Sequence, residues 1–274
     1  MQNDHVKDLV NRYRSGFSLE QPFYLSEEMF AAEWKSIFQK HWLFAGNIAQ
    51  IPKAGDYFLY NLQQDAIIII RGSKGEVHAH YNTCTHRGSA ICLHEKGNAA
   101  KLICPYHQWV FDKDGTLLNA RMMPDDFCKG DYHLRSVHVK EVEGLIFISL
   151  AGEAPDFTAI QKSIAPYVNP YKISEAKVAS IKHYTLRANW KLVAENFREC
   201  YHCGGAHPEY CGAVIGANLR EDTHELTLSK RKEWNANGLA TELVEVTPGT
   251  TTYRRSSPSG MTMRSSLRKS FRFS

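Results

Sequence analysis

The chain has 274 residues, 43% hydrophobic and 23% charged, which predicts a folded protein with a sizeable core and excludes a disordered or fibrous one. Its net charge of +4 comes from the end of the chain: residues 250–274 hold six basic residues and no acid, and the basic residues elsewhere are mixed with acids, so we expect no nucleic-acid binding. The longest apolar run is 66–70, the first residues are polar and the seven cysteines are an odd number, so we expect no membrane span, no export signal and a cytoplasmic protein with reduced or metal-bound thiols.

The first half of the chain predicts a short helical segment followed by a compact β unit. Residues 1–42 form the helical segment, in which Ser26 caps an amphipathic helix over 27–40. Short β-type runs follow, and turn signals at Asp114-Gly115 and Glu143-Gly144 separate the later ones. The predicted strands cover 57–62, 66–71, 76–82, 107–112, 116–118, 136–142 and 145–150. We therefore expect an all-β domain over 43–150.

The pattern changes after a predicted linker at 152–155. A short helix is expected over 158–167 and a strand over 180–187. Asn189 then caps a helix that presents one apolar face and should end at Gly204-Gly205. Two further strands are predicted at 223–230 and 242–246. We expect a second domain over 155–250 and a basic, serine-rich tail over 251–274.

A first set of metal-binding residues lies inside the β unit. Cys84 and His86 form one mixed pair, and Cys104 and His107 form another. Two Cys and two His suffice for a [2Fe–2S] centre with two cysteines on one iron and two histidines on the other. Zinc bound by the same four residues is the main alternative, although zinc sites usually pair like with like. The remaining alternative is that these four residues are unrelated parts of the core and bind no metal.

A second set lies in the predicted helix after Asn189. Glu199 and His202 are three residues apart and would share a helix face, and His207 lies beyond the two glycines. Two imidazoles and one carboxylate around an iron with open positions are the donor set of non-haem iron(II) oxygenases. The alternative is a surface glutamate beside a histidine at a helix end.

These two motifs, with the sequence Trp42-Leu43-Phe44-Ala45-Gly46 before the first, resemble the large subunit of Rieske non-haem iron oxygenases. The resemblance implies an α+β protein: a Rieske domain followed by a truncated helix-grip catalytic domain, in which a curved antiparallel sheet packs with helices. It also implies that Trp109 shields the cluster, although an ordinary core tryptophan is equally compatible.

By position, the resemblance makes His202 and His207 ligands of a mononuclear iron(II). Glu199 becomes a bridge that hydrogen-bonds to a cluster histidine of a neighbouring subunit in a homotrimer. Most members have Asp at the bridge; Glu there, within 197–203, is similar to the subgroup acting on glycine betaine, choline and carnitine.

The implied function is the oxygenase component of a monooxygenase or dioxygenase. It would use O2 and electrons from NAD(P)H, delivered by a separate flavin and iron–sulfur reductase, for hydroxylation or N-demethylation of a small quaternary ammonium compound. One alternative is a Rieske electron-transfer protein. Another is an inactive truncated fragment, because the family's third iron ligand is a downstream Asp and no acid follows Val246. The tail is then an out-of-frame end or a genuine basic tail.

Overall fold

The computed structural model describes residues 2–198, 202–207, 209, 210, 232 and 236. Contacts divide the chain into two units, Trp34–Lys182 and a second one that joins Met1–Glu33 to His183–Ser274. No described helix is long and apolar enough to cross a membrane. The helices of the described residues are α1 Gln2–Arg12, α2 Pro22–Leu25, α3 Glu27–Glu33, α4 Thr158–Val168, α5 Trp190–Phe197 and α6 Cys203–Ala206. The strands are β1 Leu43–Asn47, β2 Asp56–Leu62, β3 Asp65–Arg71, β4 Val77–Tyr81, β5 Lys96–Asn98, β6 Leu102–Ile103, β7 Val110–Phe111, β8 Leu117–Asn119, β9 His138–Val142 and β10 Leu145–Ser149.

The first unit contains three antiparallel sheets. Their strand orders are β1-β10-β9, β4-β3-β2-β5 and β6-β7-β8. The four-stranded sheet is the middle layer, because its two faces pack into different cores. One core lies against β10, and the other contains β6, β7, β8 and the two cysteine-bearing loops.

Strand β3 explains why the middle layer is so apolar. Ile67 and Ile69 point into one core, and Ile68 and Ile70 point into the other, all fully buried. Alternate residues of a strand face opposite sides of the sheet, so a continuous apolar run fits a strand that is covered on both faces. The predicted strand at 66–71 is confirmed.

The predicted hairpin at Glu143-Gly144 is also confirmed. β9 and β10 pair directly on either side of it, with Val142 opposite Leu145. Both turn residues have positive φ, 49° at Glu143 and 85° at Gly144, as a tight two-residue hairpin requires. Shorter bounds are found for the strands predicted at 76–82, 107–112 and 136–142, and the strand predicted at 116–118 lies one residue later, at Leu117–Asn119.

The second unit brings the N-terminal helices together with α5. Leu9, Phe23 and Met29 form a small buried cluster among the first three helices. Ser26 caps α3 as expected, since its hydroxyl accepts a hydrogen bond of 3.2 Å from the Met29 amide. The predicted helix over 27–40 continues past α3 as a π-helical turn at Trp34–Phe38.

Two predictions in the later part of the chain are wrong. No strand forms over 180–187: these residues are exposed and pair with no strand among the described residues, and a strand needs a partner for its backbone groups. The helix capped by Asn189 ends at Phe197 and not at Gly204-Gly205, because the Arg198 amide donates to the carbonyls of both Ala194 and Glu195 and closes the last turn. The glycines lie inside α6.

The expected apolar face of this helix is also largely uncovered among the described residues. Phe197 is 90% exposed and Val193 is 48% exposed. The polar residue Lys191 is the buried one. The predicted strands at 223–230 and 242–246 lie outside the described residues.

Candidate metal centres

Two loops in the first unit carry the first predicted set, and their backbones match. In one loop the Cys84 carbonyl accepts from the Gly88 amide at 2.9 Å, and the Cys84 amide donates to the Ser89 carbonyl. In the other loop, the Cys104 carbonyl accepts a hydrogen bond from the Gln108 amide at 3.0 Å, and the Cys104 amide donates to the Trp109 carbonyl. The fifth residue of each loop has positive φ: 75° at Gly88 and 58° at Gln108. Two unlike sequences thus form the same turn.

The loops bring the two thiols into the buried core. Cys84 and Cys104 are 2% and 1% exposed and belong to one apolar cluster. Burial raises the pKa of the Cys84 thiol to about 11, and the adjoining Cys104 thiol adds to the increase. A metal that binds here must therefore displace a firmly held proton, so loading of the site releases protons.

The two imidazoles lie beside each other. The ring centres of His86 and His107 are 4.5 Å apart, and the rings are inclined at 73°. Among the described residues neither buried Nδ1 atom has a hydrogen-bond partner. A buried polar atom without a partner is costly, and two such atoms in adjacent rings need a common explanation. Ligation through Nδ1 supplies one.

Partial desolvation lowers the pKa of His107, and the neighbouring His86 and Arg87 lower it further. A lowered pKa favours the neutral imidazole, which is the form that binds a metal.

The donor set fits a [2Fe–2S] cluster. Two buried thiols and two adjacent imidazoles give two protein ligands for each iron. Across the described residues, no three or more His, Cys, Asp or Glu side chains are placed around a single ion. A cluster of this kind does not require such a group, since the remaining ligands are sulfides.

Trp109 closes one side of the loops. Its ring stacks on His86 with centres 4.7 Å apart and planes 10° from parallel, and it is 1% exposed. Phe127 and Tyr132 meet the indole edge-on, each at 5.5 Å. The core interpretation of Trp109 is confirmed, and the same ring covers a candidate ligand, whereas shielding of a cluster stays a prediction.

Asn82 holds the first loop closed, and the sequence analysis missed it. Its side-chain oxygen accepts from the amides of Ile91 and Cys92, and its amide group donates to the Cys92 carbonyl at 2.8 Å. The residue is buried at the end of β4. Asparagine has both an acceptor and a donor, which these three bonds require. An isolated Asn after a strand carries no signal that identifies this role.

The second predicted set is described only in part. His202 and His207 flank α6, and their ring centres are 5.4 Å apart with planes at 82°. Cys203, between them, is buried and disulfide-bonded, so the expectation of reduced or metal-bound thiols is wrong for this residue. Glu199 lies outside the described residues. The structure thus brings the two histidines together, and the predicted bridge stays a prediction.

Two residues of the N-terminal helices contact α5, and the sequence analysis missed both. Glu33 accepts hydrogen bonds from Trp190 and Lys191, and Tyr24 bonds to Glu195 and Asn189. Burial, followed by the Glu195 carboxylate, raises the pKa of Tyr24 to about 12, so its hydroxyl stays protonated and donates.

Comparison with known proteins agrees with the geometry. Residues 41–138 match the Rieske [2Fe-2S] domain, and residues 173–262 match the ring hydroxylating alpha subunit catalytic domain. The chain is 42% identical over 220 residues to a glycine betaine monooxygenase oxygenase subunit of Chromohalobacter salexigens, covering 80% of this chain and 49% of the relative. It is 32% identical over 211 residues to a carnitine monooxygenase oxygenase subunit of Acinetobacter baumannii, covering 74% and 56%.

A solved structure is similar as well. The quaternary ammonium Rieske monooxygenase in complex with L-carnitine has a TM-score of 0.66 and 33% identity, over 70% of this chain and 56% of that one. The chain spans about half the length of the curated relatives that it matches. It belongs to the family of Rieske oxygenase alpha subunits, with an all-β Rieske [2Fe–2S] domain followed by part of an α+β catalytic domain of the kind that uses mononuclear non-haem iron.

Proposed function

We propose that this chain is the oxygenase component of a Rieske monooxygenase that oxidises a small quaternary ammonium compound. The observation that carries the proposal is the pair of buried, unpartnered Nδ1 atoms of His86 and His107 beside two buried cysteines. His202 and His207, with ring centres 5.4 Å apart, support a second metal site. The second site distinguishes an oxygenase from a Rieske electron carrier, which needs no mononuclear iron.

The proposed cluster ligands are Cys84, His86, Cys104 and His107. The two thiols give up their protons on binding, and the two imidazoles bind in the neutral form. Trp109 excludes water from one face of His86, and hydrogen bonds from loop amides would raise the potential of the bound group. We take 43–150 as the bounds of this domain and 155–250 as the part of the catalytic domain.

The proposed ligands of the mononuclear iron are His202 and His207. The chemistry that the two metal groups supply when bound is one-electron transfer and activation of O2. Glu199 is proposed as a hydrogen-bonded bridge between the mononuclear iron site at His202 and a cluster histidine of the next subunit in a homotrimer. A carboxylate pairs well with a protonated imidazole, which suits that role.

The remaining partners are inferred from the same reading. A separate flavin and iron–sulfur reductase would supply electrons from NAD(P)H, and we propose a cytoplasmic location, where that coenzyme is available. The named relatives act on glycine betaine and carnitine, both quaternary ammonium compounds. Insertion of one oxygen atom into an N-methyl C–H bond uses O2, two electrons and two protons, gives water, and releases the methyl group as formaldehyde.

The test is a single-turnover assay on a chimera in which residues 1–210 of this chain precede the remaining half of the Chromohalobacter salexigens subunit. The chimera, loaded with iron and reduced, is mixed with O2 and glycine betaine or carnitine. We expect formaldehyde in proportion to the loaded sites, and none from the same chimera with His202→Ala. A fully loaded chimera that releases no oxidised product from any quaternary ammonium compound would refute the proposed function.

A further inference from the structure

A buried ion pair joins the N-terminal helices to the helix that leads to His202. Glu33 ends α3, and Lys191 lies in the first turn of α5; their side chains are only 9% and 11% exposed. The Lys191 ammonium lies 2.5 Å from one carboxylate oxygen of Glu33, and the Trp190 indole N–H donates to the other at 2.9 Å.

Burial of this pair is hard to explain by stability alone. Removing two charges from water costs several kcal/mol per ion, and well-packed apolar residues often stabilise a core as well or better. The charged pair adds geometric specificity instead. A carboxylate that accepts a hydrogen bond at each oxygen restricts the relative orientation of its two donors.

Both donors lie on α5, so the orientation that the Glu33 carboxylate requires restricts the rotation of α5 about its axis. Trp190 and Lys191 are successive residues of α5 and so project about 100° apart around its axis. Both reach the same carboxylate only over a limited range of rotations of α5, which the rigid Trp190 indole narrows more than the flexible Lys191 side chain.

Tyr24 fixes the tilt of the same helix at two heights. Its carbonyl accepts from the Asn189 side chain at 3.0 Å, and its hydroxyl donates to Glu195 at 3.0 Å. Asn189 and Glu195 are six residues apart, about 9 Å along the helix axis. Rotation and tilt of α5 are therefore both restricted by contacts from the N-terminal segment.

We propose that Glu33 is a positioning residue for the mononuclear iron site, because it restricts the rotation of α5, the helix that precedes His202 in the chain. The inference rests on the proposed function and adds to it that the N-terminal helices are part of the apparatus that prepares the iron site. Glu33 itself touches neither metal nor substrate.

The test measures Co(II) binding at this site in the chimera described above, with its cluster already loaded, by the visible absorption of the bound ion. The His202→Ala variant gives the background absorption of Co(II) that is bound elsewhere on the protein. Glu33→Gln removes the charge and keeps the shape of the side chain, and we expect a Kd for Co(II) about tenfold higher, as for other residues that orient metal ligands. Glu20→Gln, which removes an exposed carboxylate paired with Arg12 in the same segment, should leave the Kd within about twofold.

The double variant Glu33→Gln with Lys191→Met separates positioning from simple stability. It buries no unpaired charge, so its unfolding midpoint should recover, and it keeps the test valid if a single variant fails to fold. If Glu33 positions the helix, the Co(II) affinity stays low although the fold is restored. Recovery of affinity together with stability, or a Kd unchanged in all three variants, would overturn the inference. Absence of Co(II) binding by the unsubstituted chimera would refute the proposed iron site itself.

Discussion

Removal of the Trp109 indole should loosen the cluster site, and the structure sets the size of the effect. The ring is 1% exposed and makes one stacked contact, with His86, and two edge contacts, with Phe127 and Tyr132. Burial of about 200 Å² of aromatic surface at about 25 cal/mol/Å² gives about 5 kcal/mol as an upper value. Measured losses for Trp→Ala in cores are about 3–5 kcal/mol. We expect about 3 kcal/mol for Trp109→Ala.

The assay is the rate at which the visible absorption of the cluster bleaches in guanidinium chloride, because loss of a cluster makes equilibrium unfolding irreversible. If half of the 3 kcal/mol appears in the unfolding rate, bleaching becomes about tenfold faster. Trp109→Phe keeps a ring over His86 and should bleach no more than about threefold faster. Met122→Ala is the surface control, since Met122 is 95% exposed in the same unit. A Trp109→Ala chain that bleaches at the unsubstituted rate would refute the conclusion that this ring packs in the core and covers the cluster site.

Three further predictions concern single residues. His107→Cys should move the reduction potential from the Rieske range of about −150 to +300 mV toward about −400 mV, because a thiolate adds negative charge; an unchanged potential would show that His107 is not a ligand. Glu199→Gln should leave both metal sites loaded and slow electron delivery to the mononuclear iron, and loss of that iron would make Glu199 a ligand instead. Burial lowers the pKa of His80, whose Nε2 donates to the Lys113 carbonyl at 2.9 Å, so the unfolded chain takes up the proton first. The stability that neutral His80 contributes is therefore complete above the unfolded pKa of about 6.5 and falls with pH below it, by up to about 1.4 kcal/mol per pH unit, until the folded pKa is reached; His80→Gln should weaken the corresponding increase in the rate of cluster bleaching in urea between pH 7 and pH 5.

Local signals predicted most of the first unit. The run at 66–71 is a strand buried on both sides, and the Glu143-Gly144 dipeptide forms the two-residue turn that its composition favours. The four candidate ligands were chosen from type and spacing, and the structure places the two cysteines in one core and the two imidazoles side by side. Each of these signals lies within a few residues of the feature that it specifies, which is why sequence reasoning could find them.

Features that depend on distant contacts were not predictable. Glu33 and Lys191 are 158 residues apart, and nothing in either local sequence marks a buried ion pair. The end of α5 at Phe197 was missed because the glycines beyond it are the stronger stop signal in the sequence. The left-handed backbone at Gln108 was also missed, since a glutamine gives no sign of it, whereas Gly88 in the matching loop does.

A combined analysis of the metal content, the acid-labile sulfide and the EPR spectrum of the purified chain tests whether it holds a [2Fe–2S] cluster. We expect a red-brown protein with two irons and two acid-labile sulfides in its Rieske domain. After reduction it should show a rhombic EPR signal whose average g value lies below that of the free electron, and Cys84→Ser or Cys104→Ser should abolish the signal. A colourless chain that holds one zinc ion at Cys84, His86, Cys104 and His107 would contradict the account.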